Sequence, residues 1–139
     1  MIEDVKIEDV KTFNGLSLAF IGDAVDELKI RTYLLSTGLT KVNDLQRRSK
    51  EFVSAKAHAK LFFLMEKEGF LTEEESNIFK RGRNSHPHTK AKNTDIATYQ
   101  ISTGVEALLG YLYLNKESSR LNEIIDWMIE KVESGQTRE

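Results

Sequence analysis

The fold is decided by LSLAFIGDAVDEL at residues 16–28, together with ISTGVEALLGYLYL at residues 101–114. Both stretches place apolar residues at helical spacing, and each carries an acid among them, Asp23 in the first and Glu106 in the second. Burying an unpaired carboxylate is costly or forces it to take up a proton. Two such acids in a chain without cysteine therefore predict a shared cation, and we expect their carboxylates to meet at one site.

Each acid also has a structural explanation that stays open at this point. Asp23 is compatible with the surface of a helix, and Glu106 with a lysine partner across a helix interface. Glu27 lies four residues before Arg31, the spacing of a helical ion pair. Asp26 is expected on the same flank, as a structural or solvated residue.

Length and composition indicate one domain over residues 1–139, with an N-terminal segment at 1–14 and a polar tail at 134–139. No apolar run is long enough to span a bilayer, and the N-terminus, MIEDVKIEDV, is acidic where a signal peptide is basic and then apolar. We therefore expect a cytoplasmic protein.

The absence of cysteine excludes disulfides and thiolate zinc sites. A metal must then be held by carboxylates, carbonyls, water or the three histidines. Mg²⁺ fits such oxygen ligands best, with Mn²⁺ as a substitute.

The net charge of −2 hides a basic segment, KRGRNSHPHTKAK at residues 80–92, which contains no acid. Such a segment can neutralise several phosphates, although a solvated loop is the simpler alternative. His86 and His88 flank Pro87 in a pattern that grips a transition metal only if further ligands are present, and the alternative is that they have no role.

The periodicity predicts helices and almost no strands. The first long helix covers residues 16–35, and Gly38 follows it. A second helix, capped by Asn43 or Asp44, runs towards Gly69 and is kinked or divided near Ser54.

Thr72 and Glu75 form a capping-box pattern, which predicts a short helix to about Phe79 or Arg81 that Gly82 breaks. A loop containing the only proline should reach about Asn93. Thr94 or Asp95 then caps the second acidic helix. The last amphipathic helix has a stripe made of Leu121, Ile124, Ile125, Met128, Ile129 and Val132.

Several of these segments match a known family. LAFIGDAVDEL at 18–28 and EALLGYLYL at 106–114 resemble the two signature helices of the ribonuclease III catalytic domain. VSAK at 53–56, KRGRN at 80–84 and KNTDIATYQISTGVEALLGYLYL at 92–114 are similar to the Mini-ribonuclease III subfamily, a bacterial form without a double-stranded-RNA-binding domain. Ordered segments at compatible spacing over nearly the whole chain make the resemblance specific.

The resemblance implies an all-α ribonuclease III endonuclease domain-like helical bundle that forms a two-fold homodimer, each subunit cutting one strand of double-stranded RNA. It implies Mg²⁺-dependent phosphodiester hydrolysis that leaves 5′-phosphate and 3′-hydroxyl ends. Asp23 and Glu106 would then be the catalytic residues and the metal ligands. The implied RNA-binding residues are Arg81, Arg83, Asn84, Lys90 and Lys92, with Lys56 and Asn93 as weaker candidates.

The resemblance also points to precursor large-subunit (23S) ribosomal RNA as substrate, with a ribosomal protein bound to that RNA as a partner. The main alternative is a non-catalytic RNA-binding module of ribosome assembly, since a fold does not guarantee activity. A purely structural helical interaction protein ranks below both, because it leaves the paired acids and the basic loop unexplained.

The chain departs from the larger ribonuclease III enzymes at four positions. Leu16, Ala19 and Thr103 stand where those enzymes have further acids, and Asp26 stands where the signature is usually apolar. Fewer carboxylates should weaken metal binding and leave more coordination positions to water and RNA phosphate. Asp26 is expected at the surface or in a locally repacked core.

Overall fold

A computed structural model of the chain describes residues 5–85 and 95–138, which form α-helices and no β-strand. This confirms the predicted all-α class. The helices are α1 (Ile7–Val10), α2 (Gly15–Ser36), α3 (Val42–Val53), α4 (Ala55–Glu68), α5 (Glu73–Arg83), α6 (Ile96–Leu114) and α7 (Ser118–Glu133). Within the described residues, no helix has the length and apolar character that crossing a membrane requires.

Helix α6 is the centre of the bundle. Its residues 102–105 and 107–112 are all buried, and α2, α4, α5 and α7 pack around it. A helix that is apolar on every side has no polar face to expose to solvent, so it occupies the core. Glu106 is the one residue in this run that is not fully buried.

The predicted division of the second helix occurs at Ser54. This residue has extended backbone, ends α3 and caps α4 through a hydrogen bond from the backbone N–H of Ala57 to its hydroxyl, 3.2 Å long. The capping box at Thr72 and Glu75 and the cap at Asp95 also form as predicted. Local hydrogen bonds to exposed N–H groups set these three helix starts.

Two predicted boundaries are wrong. The first turn of α3 begins at Val42 with Lys41 in the N-cap position, so neither Asn43 nor Asp44 caps the helix. Gly82 does not break α5, which continues to Arg83. Gly82 is buried against α6, where an added Cβ would lie 2.6 Å from the Cβ of Ala107, so this glycine serves helix packing. The short helix α1 in the N-terminal segment was not predicted.

Two glycines bring α2 and α6 into backbone contact. A Cβ on Gly22 would lie 1.7 Å from the carbonyl oxygen of Glu106, and one on Gly110 would lie 1.9 Å from that of Leu18. Real Cβ atoms do not approach carbonyl oxygens this closely, so any larger residue must push the helices apart. The crossing therefore requires glycine at both positions.

Gly110→Ala should reduce the free energy of unfolding by about 3 kcal/mol, because the new methyl group overlaps the backbone of α2. Urea unfolding followed by circular dichroism measures this. Gly38→Ala is the control, since Gly38 has a φ of +94° but nothing within 4 Å of an added Cβ, and the strain alone should cost about 1 kcal/mol. Equal losses at the two positions would show that the helix contact is not tight.

Candidate active site

The carboxyl groups of Asp23 on α2 and Glu106 on α6 lie within hydrogen-bonding distance of each other. Asp23 follows Gly22 directly, and Gly22 faces the backbone of Glu106, so the glycine contact places the two acids side by side. Asp23 is exposed and Glu106 is partly buried. The expectation that apolar neighbours bury Asp23 is therefore wrong, because its neighbours Phe20 and Ala24 also face solvent.

The environment of Glu106 disfavours its charged form. Burial raises the pKa of Glu106 to about 8, and the negative charge and hydrogen bond of Asp23 add to the rise, while the charge of His58 opposes it. Near neutral pH Glu106 therefore holds a proton when no cation is bound. A divalent cation at this position would replace that proton and remove the repulsion between the two carboxylates.

The donor set of this pair fits a hard cation such as Mg²⁺, which prefers carboxylate oxygens. In the part of the chain that the structure describes, no three His, Asp or Glu side chains converge as a metal site. The protein thus offers two carboxylates, and a cation held there would draw its remaining ligands from water or from a bound phosphate.

A row of buried, hydrogen-bonded polar side chains lies one helical turn from this pair, inside the bundle. The Nε2 of His58 on α4 is 2.7 Å from Oδ2 of Asp26, and its Nδ1 is 2.8 Å from the hydroxyl of Ser102 on α6. His58 and Asp26 have 0% and 1% exposure. Burial by itself lowers the pKa of His58, but the hydrogen bond and charge of Asp26, with the charges of Glu106 and Asp23, raise it above its ordinary value.

The position of Asp26 corrects the prediction that it is solvated, and it agrees with a locally repacked core. Sequence reasoning missed His58 and Ser102 altogether. The signal that was available for His58 is its register, because Leu61, Phe62 and Met65 follow it on the buried face of α4. Glu27 does pair with Arg31 as predicted, at 3.0 Å between Oε2 and Nε.

The predicted RNA-binding residues fall into two groups. Arg81 is half-buried, and its guanidinium donates a hydrogen bond to the carbonyl of Phe13. The guanidinium carbon of Arg83 lies 5.8 Å from the centre of the Phe79 ring. The Nε of Arg83 donates to Oδ1 of Asn84 at 3.2 Å, and Asn84 is exposed at the end of α5. Outside the described residues lie His86, His88, Lys90, Lys92 and Asn93.

The positions where larger ribonuclease III enzymes have further acids contribute no carboxylate here. Leu16 is partly exposed, and Ala19 is buried. Thr103 is buried, and its hydroxyl donates to the carbonyl of Tyr99 at 3.1 Å. The acidic set at the crossing of α2 and α6 is accordingly small.

One face of α2 exposes several apolar side chains, with the Glu27–Arg31 ion pair among them. Phe20 is 79% exposed and Leu28 is 68% exposed, with Leu16, Ala24 and Leu35 on the same side of the helix. Phe13 and Tyr33 are only partly buried and pack against the core. The exposed apolar side chains therefore extend from Leu16, about two turns before Asp23, along most of α2.

Comparison with known proteins decides the family. The model of the Ribonuclease III domain matches residues 16–117, which include both acidic helices. The Mini-ribonuclease 3 of Streptococcus pneumoniae is 50% identical over 125 residues, 90% of this chain and 98% of the relative. The chain belongs to the ribonuclease III family, within its Mini-ribonuclease 3 group.

Further Mini-ribonuclease 3 relatives agree along the length of the chain. The protein of Enterococcus faecalis is 50% identical over 133 residues, 96% of this chain and 99% of the relative. The crystal structure of protein FN1578 from Fusobacterium nucleatum has a TM-score of 0.76 and 33% identity, over 88% of this chain and 96% of that one. The helical arrangement described here is therefore also found in a solved structure.

Glu106→Gln should stabilise the metal-free protein at alkaline pH. The pKa of folded Glu106, about 8, lies above the ordinary value of 4.5, so the native state binds the proton more tightly and stability falls as the pH rises between these values. The glutamine has no charge to bury. At about pH 9 the free energy of unfolding of the variant should exceed that of the wild type by on the order of 2 kcal/mol. At about pH 5 this difference should nearly vanish.

Urea unfolding in the presence of a chelator measures this difference at the two pH values. Glu66→Gln is the control, because Glu66 is exposed on α4, and its effect should be the same at both. An equal effect of Glu106→Gln at the two pH values would contradict a raised pKa of Glu106 in the folded protein.

Proposed function

We propose that this chain is an endoribonuclease that hydrolyses phosphodiester bonds in double-stranded RNA and leaves 5′-phosphate and 3′-hydroxyl ends. The observation that carries the proposal is the carboxylate pair of Asp23 and Glu106, which the backbone contact of α2 with α6 at Gly22 holds together. The family membership supports the same reaction. Asp23 and Glu106 are the proposed catalytic residues.

The same two carboxylates are the proposed ligands of Mg²⁺, with Mn²⁺ as a substitute. A bound divalent cation would supply an activated water nucleophile and neutralise charge on the departing oxygen. The chain contributes the fixed spacing of its two carboxylates and an open side, since Asp23 is exposed. Because the protein offers few ligands, we propose that the cation binds tightly only when RNA phosphate oxygens complete its coordination, and two tight Mg²⁺ ions in calorimetry of the free protein would contradict this.

Arg83 and Asn84 at the end of α5 are proposed RNA contacts, together with Arg81, Lys90 and Lys92. An RNA duplex is bound mainly through its phosphates, 2′-hydroxyls and shape, which suits a basic segment without acids. Because Arg81 already donates to the carbonyl of Phe13, we rank Arg83 above it. The proposed substrate is precursor 23S ribosomal RNA in the cytoplasm, with a ribosomal protein on that RNA presenting the stem.

The proposed assembly is a homodimer in which the exposed face of α2 meets its equivalent. A two-fold axis relates the two active sites as the two strands of a duplex are related, so each subunit cuts one strand. The exposed Phe20 supports this arrangement, since a large aromatic side chain in water is typical of an interface anchor.

Cleavage of a labelled RNA duplex in Mg²⁺ tests the proposed reaction. Asp23→Asn and Glu106→Gln should each lower the cleavage rate by at least about a hundredfold, since each removes a proposed metal ligand. RNA affinity measured without Mg²⁺ should change little, because the carboxylates themselves do not attract phosphate. Glu66→Gln is the matched control and should cut normally. Wild-type protein that binds the duplex without cutting it would favour the non-catalytic RNA-binding module instead.

Phe20→Ala should weaken the dimer by at least about thirtyfold, as expected for loss of an interface anchor worth about 2 kcal/mol. Sedimentation velocity over a range of concentrations measures this. Phe63→Ala is the control, because Phe63 is 65% exposed but lies on α4. A wild type that stays monomeric, or a Phe20→Ala protein as dimeric as the wild type, would exclude this interface.

A further inference from the structure

Asp26, His58 and Ser102 connect three helices beneath the carboxylate pair. His58 on α4 contacts Oδ2 of Asp26 on α2 at 2.7 Å and the hydroxyl of Ser102 on α6 at 2.8 Å. All three side chains are buried. They form a continuous hydrogen-bonded path between helices whose other contacts are the glycine crossing of α2 with α6 and apolar side chains.

The two ends of this path lie directly next to the site. Asp26 is three residues after Asp23, and Ser102 is four residues before Glu106. Residues three and four apart share one face of a helix. Each end of the path is therefore one turn from one of the two acids, on the side that faces the other helices.

We propose that Asp26, His58 and Ser102 form a buried tie that fixes the turn of α2 bearing Asp23 relative to the turn of α6 bearing Glu106. They are positioning residues, and their consequence for catalysis rests on the function proposed above. Apolar contacts tolerate small slides and rotations of packed helices, whereas hydrogen bonds at both ring nitrogens of one histidine restrict both.

Stability alone does not account for this tie. Removing ionisable and hydrogen-bonding groups from water is costly, and replacing a buried polar or ionic pair with apolar residues of similar size is often neutral or stabilising. Asp26 adds to that cost, because its Oδ1 is buried and has no hydrogen-bond partner among the residues that the structure describes. A group of buried polar residues with this cost is consistent with a positional role at an adjacent site.

The test compares wild type with Asp26→Leu/His58→Leu, which removes both hydrogen-bonded partners together. His58→Leu alone would leave Asp26 buried and unpaired and endanger folding. Asp26→Asn keeps an acceptor for His58 and serves as the conservative variant. Ser49→Ala is the control for loss of a buried polar side chain away from the site, since Ser49 is a buried serine on α3 whose hydroxyl donates to the carbonyl of Gln46 within its own helix.

Two measurements are made on each protein after its melting temperature is recorded. Amide hydrogen exchange over residues 22–26 and 102–106 reports on the two turns, and single-turnover cleavage at saturating RNA reports on the reaction. In the double variant we expect about tenfold faster exchange in both turns and about tenfold slower cleavage with RNA affinity unchanged. Asp26→Asn and Ser49→Ala should resemble the wild type in both measurements.

If the amide hydrogens of the two turns exchange as slowly in the double variant as in the wild type, the proposed tie is overturned. Faster exchange with an unaltered cleavage rate would overturn it as well. Faster exchange throughout the protein, with a lower melting temperature, would reduce the tie to a general contribution to stability and also overturn it. If the wild type itself leaves RNA uncut, the proposed function fails, while the exchange measurement still decides whether the tie holds the two turns.

Discussion

The contact of α2 with α6 through Gly22 and Gly110 is the constraint on which the rest of the structure depends. It lets the two longest helices touch along their backbones, so the core forms around α6. The same contact sets Asp23 beside the turn of Glu106. The same helix contact therefore determines both the core packing and the geometry of the site. This explains why the acids lie on helices, where backbone positions are well fixed, and not on loops.

Local signals in the sequence predicted most of the fold. The apolar periodicity of α2 and α6, the division at Ser54 and the capping box at Thr72 all depend on neighbours within one or two turns, so a single sequence contains the information. Gly82 shows the limit of this reasoning. Its low helix propensity indicates a break, but contact with α6 outweighs the propensity, and that contact is invisible until the helices are assembled.

The candidate site likewise contains residues that could be predicted from the sequence and residues that could not. The two acids could be predicted because each interrupts an apolar run, and their convergence follows from the fold. His58 and Ser102 could not, because a hydrogen bond between residues 44 positions apart leaves no periodic trace. Asp26 was misplaced because its spacing relative to Glu27 and Arg31 fits a solvated flank, whereas its partner on α4 draws it inward.

The direct connection of α3 to α4 at Ser54 limits where residues can be inserted into or deleted from the chain. One residue ends α3 and starts α4, so no spare linker separates the two helices. Inserting or deleting a residue within the first turn of α4 would rotate everything after it by about 100° about the helix axis. His58 would then face away from Asp26. Length variation is therefore excluded at this connection and must be absorbed where the chain is exposed, such as the turn at Gly38.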